Sequence, residues 1–291
     1  VNTTATSTTI LVTGANGQLG REMQVIAAAY PACNFLFVSR ETLSIEDAAA
    51  VKDYLDLHTV NVLVNCAAYT AVDKAESEPV KAFAVNGYAV GTLATVCREK
   101  NIGFIHISTD YVFDGTATTP YKENDPVHPI GVYGASKLKG EELALQNNPA
   151  SIIIRTSWVY SSFGNNFVKT MLRLMKERSS INVVDDQLGC PTYAADLAAA
   201  VMQIIAGETQ TPGIYNFSNS GIINWFQFAS AIKELSGSSC IVHPIPSSQY
   251  PTPAKRPAYS VLDTEKIQTV FGVTVPAWKQ SLERCLQILN G

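Results

Sequence analysis

Two side chains four residues apart, in Tyr133-Gly-Ala-Ser-Lys137, could carry proton chemistry. At an i, i+4 spacing on a helix a phenol and an ammonium share one face, and a nearby cation favours the phenolate form of a group that otherwise titrates near ~10. Reduction of a carbonyl requires such a donor, because the oxyanion formed as hydride arrives must take up a proton. A hydroxyl from Ser108 or Thr109, in the string Ser108-Thr-Asp-Tyr-Val-Phe-Asp-Gly115, could hold that carbonyl toward Tyr133. The string Thr13-Gly14-Ala-Asn16-Gly17-Gln18-Leu19-Gly20 follows an apolar run and opens an amphipathic one, with glycines spaced GxxGxxG. Such a loop makes a tight turn at Gly14, lets a pyrophosphate approach backbone N–H groups at Gly17, and packs helix on strand at Gly20. About twenty residues further on, where an acid would accept the ribose hydroxyls of NAD, the chain has Ser39-Arg40. A guanidinium fork and a hydroxyl suit a 2′-phosphate, which favours NADPH, with NADH as an accepted alternative.

These residues need a scaffold that brings strand ends together. Short apolar runs at Ile10 to Thr13, Phe35 to Val38, Val62 to Asn65, Phe104 to Ile107 and Ile152 to Arg155 read as buried strands. The stretches at about Gln18 to Ala29, Asp47 to Leu57, Pro79 to Lys100 and Tyr133 to Gln146 between them read as helices. Strand–helix alternation with right-handed crossovers predicts an α/β fold, a Rossmann-like doubly wound parallel sheet with its site at the carboxyl ends of the strands. After residue 155 the rhythm changes, with helices at about Asn165 to Lys176, Ala194 to Ala206 and Trp225 to Leu235. We expect a dinucleotide-binding domain at 8–160 with a returning segment at about 190–212. A smaller, interleaved C-terminal substrate-binding domain is expected from 161–189 and 213–291. Five prolines between Pro244 and Pro257 are too dense for a helix or central strand and predict a surface loop.

The 291 residues carry a formal charge of −4, with 46% hydrophobic and 16% charged side chains. No Lys/Arg run offers an electrostatic footprint for nucleic acid, and no apolar stretch approaches a membrane span. The six cysteines lie apart without zinc spacing and read as reduced thiols of a cytoplasmic protein. Val1 to Ser7 reads as a frayed leader. His106 falls in a buried strand and reads as a core histidine; Cys66, Cys190, Trp225 and Phe226 read as packing.

With these residues in view, the chain resembles the extended short-chain dehydrogenase/reductases, and among them the dTDP-4-dehydrorhamnose reductase family, from about Ile10 to Leu289. Besides the glycine loop and YxxxK, the resemblance rests on Asn65-Cys-Ala-Ala-Tyr-Thr-Ala-Val-Asp-Lys-Ala-Glu-Ser-Glu-Pro79, Val85-Asn86 and the Ser108 to Gly115 string. It continues through Arg155-Thr-Ser-Trp-Val-Tyr160, Gly164-Asn-Asn-Phe167, Asp186-Gln-Leu-Gly-Cys-Pro-Thr192 and Arg256-Pro-Ala-Tyr-Ser-Val-Leu-Asp263.

The resemblance implies a catalytic triad of Thr109, Tyr133 and Lys137, and a nicotinamide lined by Ala67, Ala68 and Tyr69. It implies a nucleotide-sugar substrate near Thr109, Asp110, Tyr133 and Trp158, with Asn166, Gln187, Thr192, Arg256 and Ser260 around it and Arg256 on its diphosphate. The implied reaction is reduction of the C4 keto group of dTDP-4-dehydro-β-L-rhamnose to dTDP-L-rhamnose, the last step in making that sugar nucleotide. The alternatives are a reductase or epimerase of another nucleotide-sugar and a non-catalytic NADP-binding regulatory subunit. Where family members carry Leu-Asp-Ile against the adenine, this chain has Leu43-Ser44-Ile45. The resemblance also admits a homodimer and, in some members, magnesium at acidic residues of that contact. Glu283 is the lone carboxylate of the last helix here, so magnesium is unsupported and no metal ligand is assigned.

Overall fold

The computed structural model describes residues 7–207 and 210–290. Most of the expected leader therefore lies outside the described residues, although Ser7 donates its hydroxyl to the Ala32 carbonyl at 2.9 Å.

The first half alternates strand and helix: β1 (Thr8–Thr13), α1 (Gln18–Ala27), β2 (Cys33–Val38), α2 (Ala48–Leu57), β3 (Val62–Asn65), then short α3 (Val72–Ala75) and α4 (Pro79–Phe83). A π-turn over Ala84–Tyr88 leads into α5 (Ala89–Glu99), followed by β4 (Gly103–Thr109), α6 (Val132–Asn147) and β5 (Ile152–Thr156). The second half holds β6 (Val159–Tyr160), α7 (Phe167–Glu177), β7 (Ser180–Val184), β8 (Leu188–Gly189), β9 (Thr192–Tyr193) and α8 (Ala194–Ala206). It closes with β10 (Gly213–Asn216), β11 (Ile223–Asn224), α9 (Trp225–Ser236), β12 (Ile241–Ile245), α10 (Glu265–Phe271) and α11 (Trp278–Asn290).

Six strands form the central sheet in the order β10-β5-β4-β3-β1-β2, every pairing parallel. This is the doubly wound arrangement expected, with the order reversing between β1 and β3, where such sheets open a crevice beyond their strand ends. Apolar side chains on both faces account for the continuous runs in the sequence. One core packs Ile10, Val12, Met23 and Val64 against Leu197 and Val201 of α8. The other packs Leu11 and Leu63 against Val51, Val90 and Leu93 of α2 and α5. A third core joins α7, α9 and α11 through Val168, Met171, Phe228, Ile232 and Leu286.

Four details differ from the sequence expectation. Gly213–Asn216, placed in the second unit by the sequence reading, pairs with β5 as the edge of the main sheet. The helix expected over Pro79 to Lys100 is interrupted by the π-turn at Asn86, whose amide donates to the Tyr69 carbonyl and to Ser136 Oγ at 3.0 Å each. The α7 helix starts two residues late because Asn166 is its cap, accepting from the Lys169 N–H at 3.1 Å. The proline-dense segment begins with a strand, β12, that pairs with β7 in a two-stranded sheet, an edge position where Pro244 can lack its N–H. Among the described residues one helical run, Pro79–Glu99, is long and apolar enough to cross a membrane, and most of it is buried inside the protein.

Candidate active site

The glycine loop sits where β1 ends. Gly14 adopts φ +67°, and a Cβ there would come within 2.6 Å of the Ala67 backbone N. At Gly20 a Cβ would meet the Gly14 carbonyl oxygen at 2.3 Å, so the first turn of α1 lies directly on the loop that feeds it. Gly17 caps α1 without any side-chain acceptor, which leaves the first-turn N–H groups facing the cleft. The residues present thus fit a pyrophosphate: a helix N-terminus at the cleft whose cap residue, Gly17, has no side chain.

That cleft, about 800 Å³, is bordered by Gly14, Asn16, Gly17, Gln18 and Leu19, and on its outer wall by Ser39 and Arg40. Arg40 is mostly exposed and ion-paired with Glu46 at 3.0 Å, and Ser39 donates to Glu41 Oε2 at 2.5 Å. The Ser39 hydroxyl holds the Glu41 carboxyl below its usual range. Both acids stand beside the groups expected to meet a 2′-phosphate. Leu43, Ser44 and Ile45 continue this wall, and Ala67, Ala68 and Tyr69 line the opposite one.

Deeper in the cleft stand Thr109, Asp110, Tyr133, Lys137 and Trp158. Of the two hydroxyls left open by the sequence, Ser108 donates to buried Glu141 at 2.5 Å. Glu141 is in turn held by both arms of the Arg155 guanidinium, Nη2 at 2.7 Å and Nε at 3.0 Å. Thr109 keeps its side chain at the cleft, donating to Asp110 Oδ1 at 2.9 Å and accepting from the Tyr111 N–H at 3.2 Å. Both residues border the cleft, but consecutive strand residues point to opposite faces, so the Ser108 hydroxyl turns to Glu141 and the Thr109 hydroxyl to Asp110.

Tyr133 sits at the start of α6, whose first N–H, at Val132, is capped from afar by Glu76 Oε1 at 2.8 Å. Its ring stacks edge-on against Tyr111 at 5.5 Å. Burial pushes the phenol up to about 12, the Thr109 hydroxyl pulling the other way, so the group is protonated at neutral pH. Lys137, which the i, i+4 spacing set beside the phenol, is turned toward the sheet: its Nζ donates to the Ile107 carbonyl at 2.7 Å. Burial brings Lys137 down to about 8. Asp110 is pushed up to about 6 by burial, with Ser260 and Thr109 acting against the shift, and its Oδ2 has no hydrogen-bond partner among the described residues.

The other expected substrate residues lie outside this lining. Asn166 divides its amide among Gln18, Ser161 and Phe163. Thr192 is buried and accepts from Thr156 Oγ1 at 3.2 Å, Gln187 is half-buried beside β8, and Ser260 is buried. Arg256 forms a two-pronged ion pair with Asp73, at 3.0 and 2.9 Å, across 183 residues of chain. Asp73, outside the cleft lining, and Trp225, within it, take roles that residue type and spacing did not point to. Asp73 lies in a quoted string, but its role depends on where Arg256 lands. Trp225, read as packing, stacks on Trp158 at 3.6 Å and lines the cleft. Trp158 itself holds φ +47°, unusual for a bulky residue.

Comparison with known proteins places this geometry. The family model described as the RmlD substrate binding domain matches residues 8–290. A dTDP-4-dehydrorhamnose reductase of Aggregatibacter actinomycetemcomitans is 43% identical over 284 residues, covering 94% of this chain and 97% of the relative. The crystal structure of a dTDP-4-dehydrorhamnose reductase from Clostridium acetobutylicum superimposes with a TM-score of 0.94 at 39% identity, covering 97% of this chain and all of that one. The Bacillus anthracis dTDP-4-dehydrorhamnose reductase, solved in complex with NADP, gives 0.93 at 35% identity, covering 97% of this chain and 99% of that one. With a match along nearly its whole length and relatives well above 30% identity, the chain belongs to the RmlD family.

Proposed function

We propose that this protein reduces the C4 keto group of dTDP-4-dehydro-β-L-rhamnose to give dTDP-L-rhamnose, using NADPH. The observation that carries the reading is the meeting, in one cleft, of an uncapped helix N-terminus with Thr109, Tyr133 and Lys137. The relatives' names supply the substrate. NADPH, when bound, supplies the hydride.

In this reading the Gly14–Gly20 loop and the first turn of α1 hold the pyrophosphate through backbone N–H groups. Arg40 and Ser39 exchange their present acidic partners for the 2′-phosphate. Ala67, Ala68 and Tyr69 form the wall against the nicotinamide, and Lys137 steadies its ribose. Thr109 donates to the substrate carbonyl oxygen and fixes it near the Tyr133 hydroxyl. As hydride reaches C4, Tyr133 gives its proton to the oxyanion. A phenol held up to about 12 is in the correct form to donate at neutral pH, and burial of the site strengthens each of these interactions. Trp158, backed by Trp225, offers an apolar face to the sugar, and Arg256 meets the diphosphate. Asn166, Gln187, Thr192 and Ser260 shape the frame behind it.

The test follows absorbance of the reduced nicotinamide when the protein meets NADPH and freshly generated dTDP-4-dehydrorhamnose, beside NADH and other keto-sugar nucleotides. Oxidation of NADPH dependent on the rhamnose precursor is the expected result. Binding of NADPH without turnover of any sugar nucleotide would instead favour a regulatory, non-catalytic protein.

A further inference from the structure

Behind Lys137 runs a buried polar chain that the reaction above does not use. Parallel register sets Thr13 beside Asn65, at the carboxyl ends of β1 and β3, and Asn65 beside His106 in the middle of β4. Asn65 and His106 are fully buried and Thr13 nearly so. Asn65 Oδ1 accepts from Thr13 Oγ1 at 2.6 Å and from the Ala67 backbone N–H at 3.2 Å. A backbone N–H can only donate, so this fixes which end of the amide is oxygen. The Asn65 nitrogen therefore points at His106 Nδ1, 3.0 Å away, and that ring nitrogen accepts. Burial, aided by the Lys137 charge, keeps His106 neutral, so its one proton sits on Nε2. Nε2 faces Lys137 Nζ at 3.3 Å. An N–H opposite an ammonium sets donor against donor, whereas the same N–H opposite a free amine makes a hydrogen bond.

We propose that His106 is a positioning residue for Lys137: with its tautomer locked by Asn65, it presents an N–H to Nζ and shifts the lysine from ammonium toward amine. The other groups facing Lys137 are Cys66 from the loop after β3, Glu141 one turn along α6, and Tyr133 one turn before it. Glu141 favours the ammonium, but Arg155 and Ser108 already occupy its oxygens. Cys66, pushed up to about 12 by burial, is a neutral thiol. His106 is thus the contact that acts against the charge, and it does so through a proton whose position a strand neighbour dictates.

The experiment uses cofactor-free protein. Long-range proton–nitrogen spectra of the histidine-labelled chain, which has only four histidines, read the His106 tautomer directly, with His106→Leu supplying the assignment. An Nε2-protonated ring is expected; an Nδ1-protonated ring overturns the proposal. Lysine-labelled protein then reports the midpoint of Lys137. Asn65→Asp replaces the donor facing Nδ1 by an acceptor, reverses the tautomer and turns a lone pair toward Nζ. It should raise the midpoint by about one unit or more. In Asn65→Asp/His106→Leu the new carboxylate remains but the ring does not, and most of the rise should vanish. An equal rise in the double variant, or none in the single one, overturns the proposal. If neither variant folds, the tautomer in the parent still decides. The involvement of Lys137 in turnover rests on the proposed function. A pH–rate limb that stays put while the midpoint moves would count against that involvement and not against His106.

Discussion

The carboxyl edge of the sheet and the C-terminal loops that face it both carry residues expected to act, but they use them differently. At the sheet edge Thr109, Tyr133 and Lys137 border one cleft, held by register and by the first turns of α1 and α6. In the loops, Asn166 caps a helix and Arg256 is engaged by Asp73. Strand ends converge because parallel pairing fixes neighbours at hydrogen-bond spacing, whereas a loop residue goes wherever its own backbone finds partners. A motif string is therefore a stronger statement about side-chain placement at a strand end than in a loop.

The largest effect should come from Tyr133→Phe, which removes the proton donor but leaves the glycine loop untouched. Turnover should fall by roughly 10²–10⁴-fold, with NADPH affinity measured by fluorescence titration nearly unchanged. Cofactor affinity falling in step would blur the distinction between the two regions. Next is Arg155→Met, which strands Glu141 as an unpaired charge at 2% exposure. Denaturant unfolding should show a loss of about 3–5 kcal/mol, as for other broken buried pairs. A loss near zero would mean the sheet edge is less tightly built than its geometry says.

Asp110→Asn should give the third effect. The folded carboxyl is raised from 3.8 to about 6, so the folded state binds the extra proton and stability declines as pH rises from about 4 through about 6. The amide removes that decline. Relative to the parent, the variant should be level below pH ~4 and more stable at neutral pH by up to about 3 kcal/mol, the equivalent of two pKa units. A parallel pH profile for the two proteins would mean that Asp110 ionises freely. The smallest effect belongs to Asn166→Ala: about 1 kcal/mol lost with the α7 cap, and KM for the sugar nucleotide unchanged. A raised KM would move Asn166 from the frame to the substrate and narrow the contrast between sheet edge and loops.

Much of the fold was legible because burial on both faces of a parallel sheet writes continuous apolar runs, as at Ile10 to Thr13 and Ile152 to Arg155. β10 was not, since its four residues, Gly213 to Asn216, carry too short a pattern and take their place only by pairing with β5. The π-turn was hidden for a similar reason: it exists because Asn86 reaches Tyr69 and Ser136, both distant in sequence. The glycine loop and the Tyr133/Lys137 pair were readable because their requirements are local, a turn without side chains and one turn of helix. The direction in which Lys137 points, the choice of Thr109 over Ser108 on geometric grounds, and the Arg256–Asp73 pair were not. Residue types and spacing dictated which groups could do the chemistry and on which elements they ride. Their partners and protonation came from three-dimensional packing, because burial and hydrogen bonding depend on what lies across the sheet rather than along the chain.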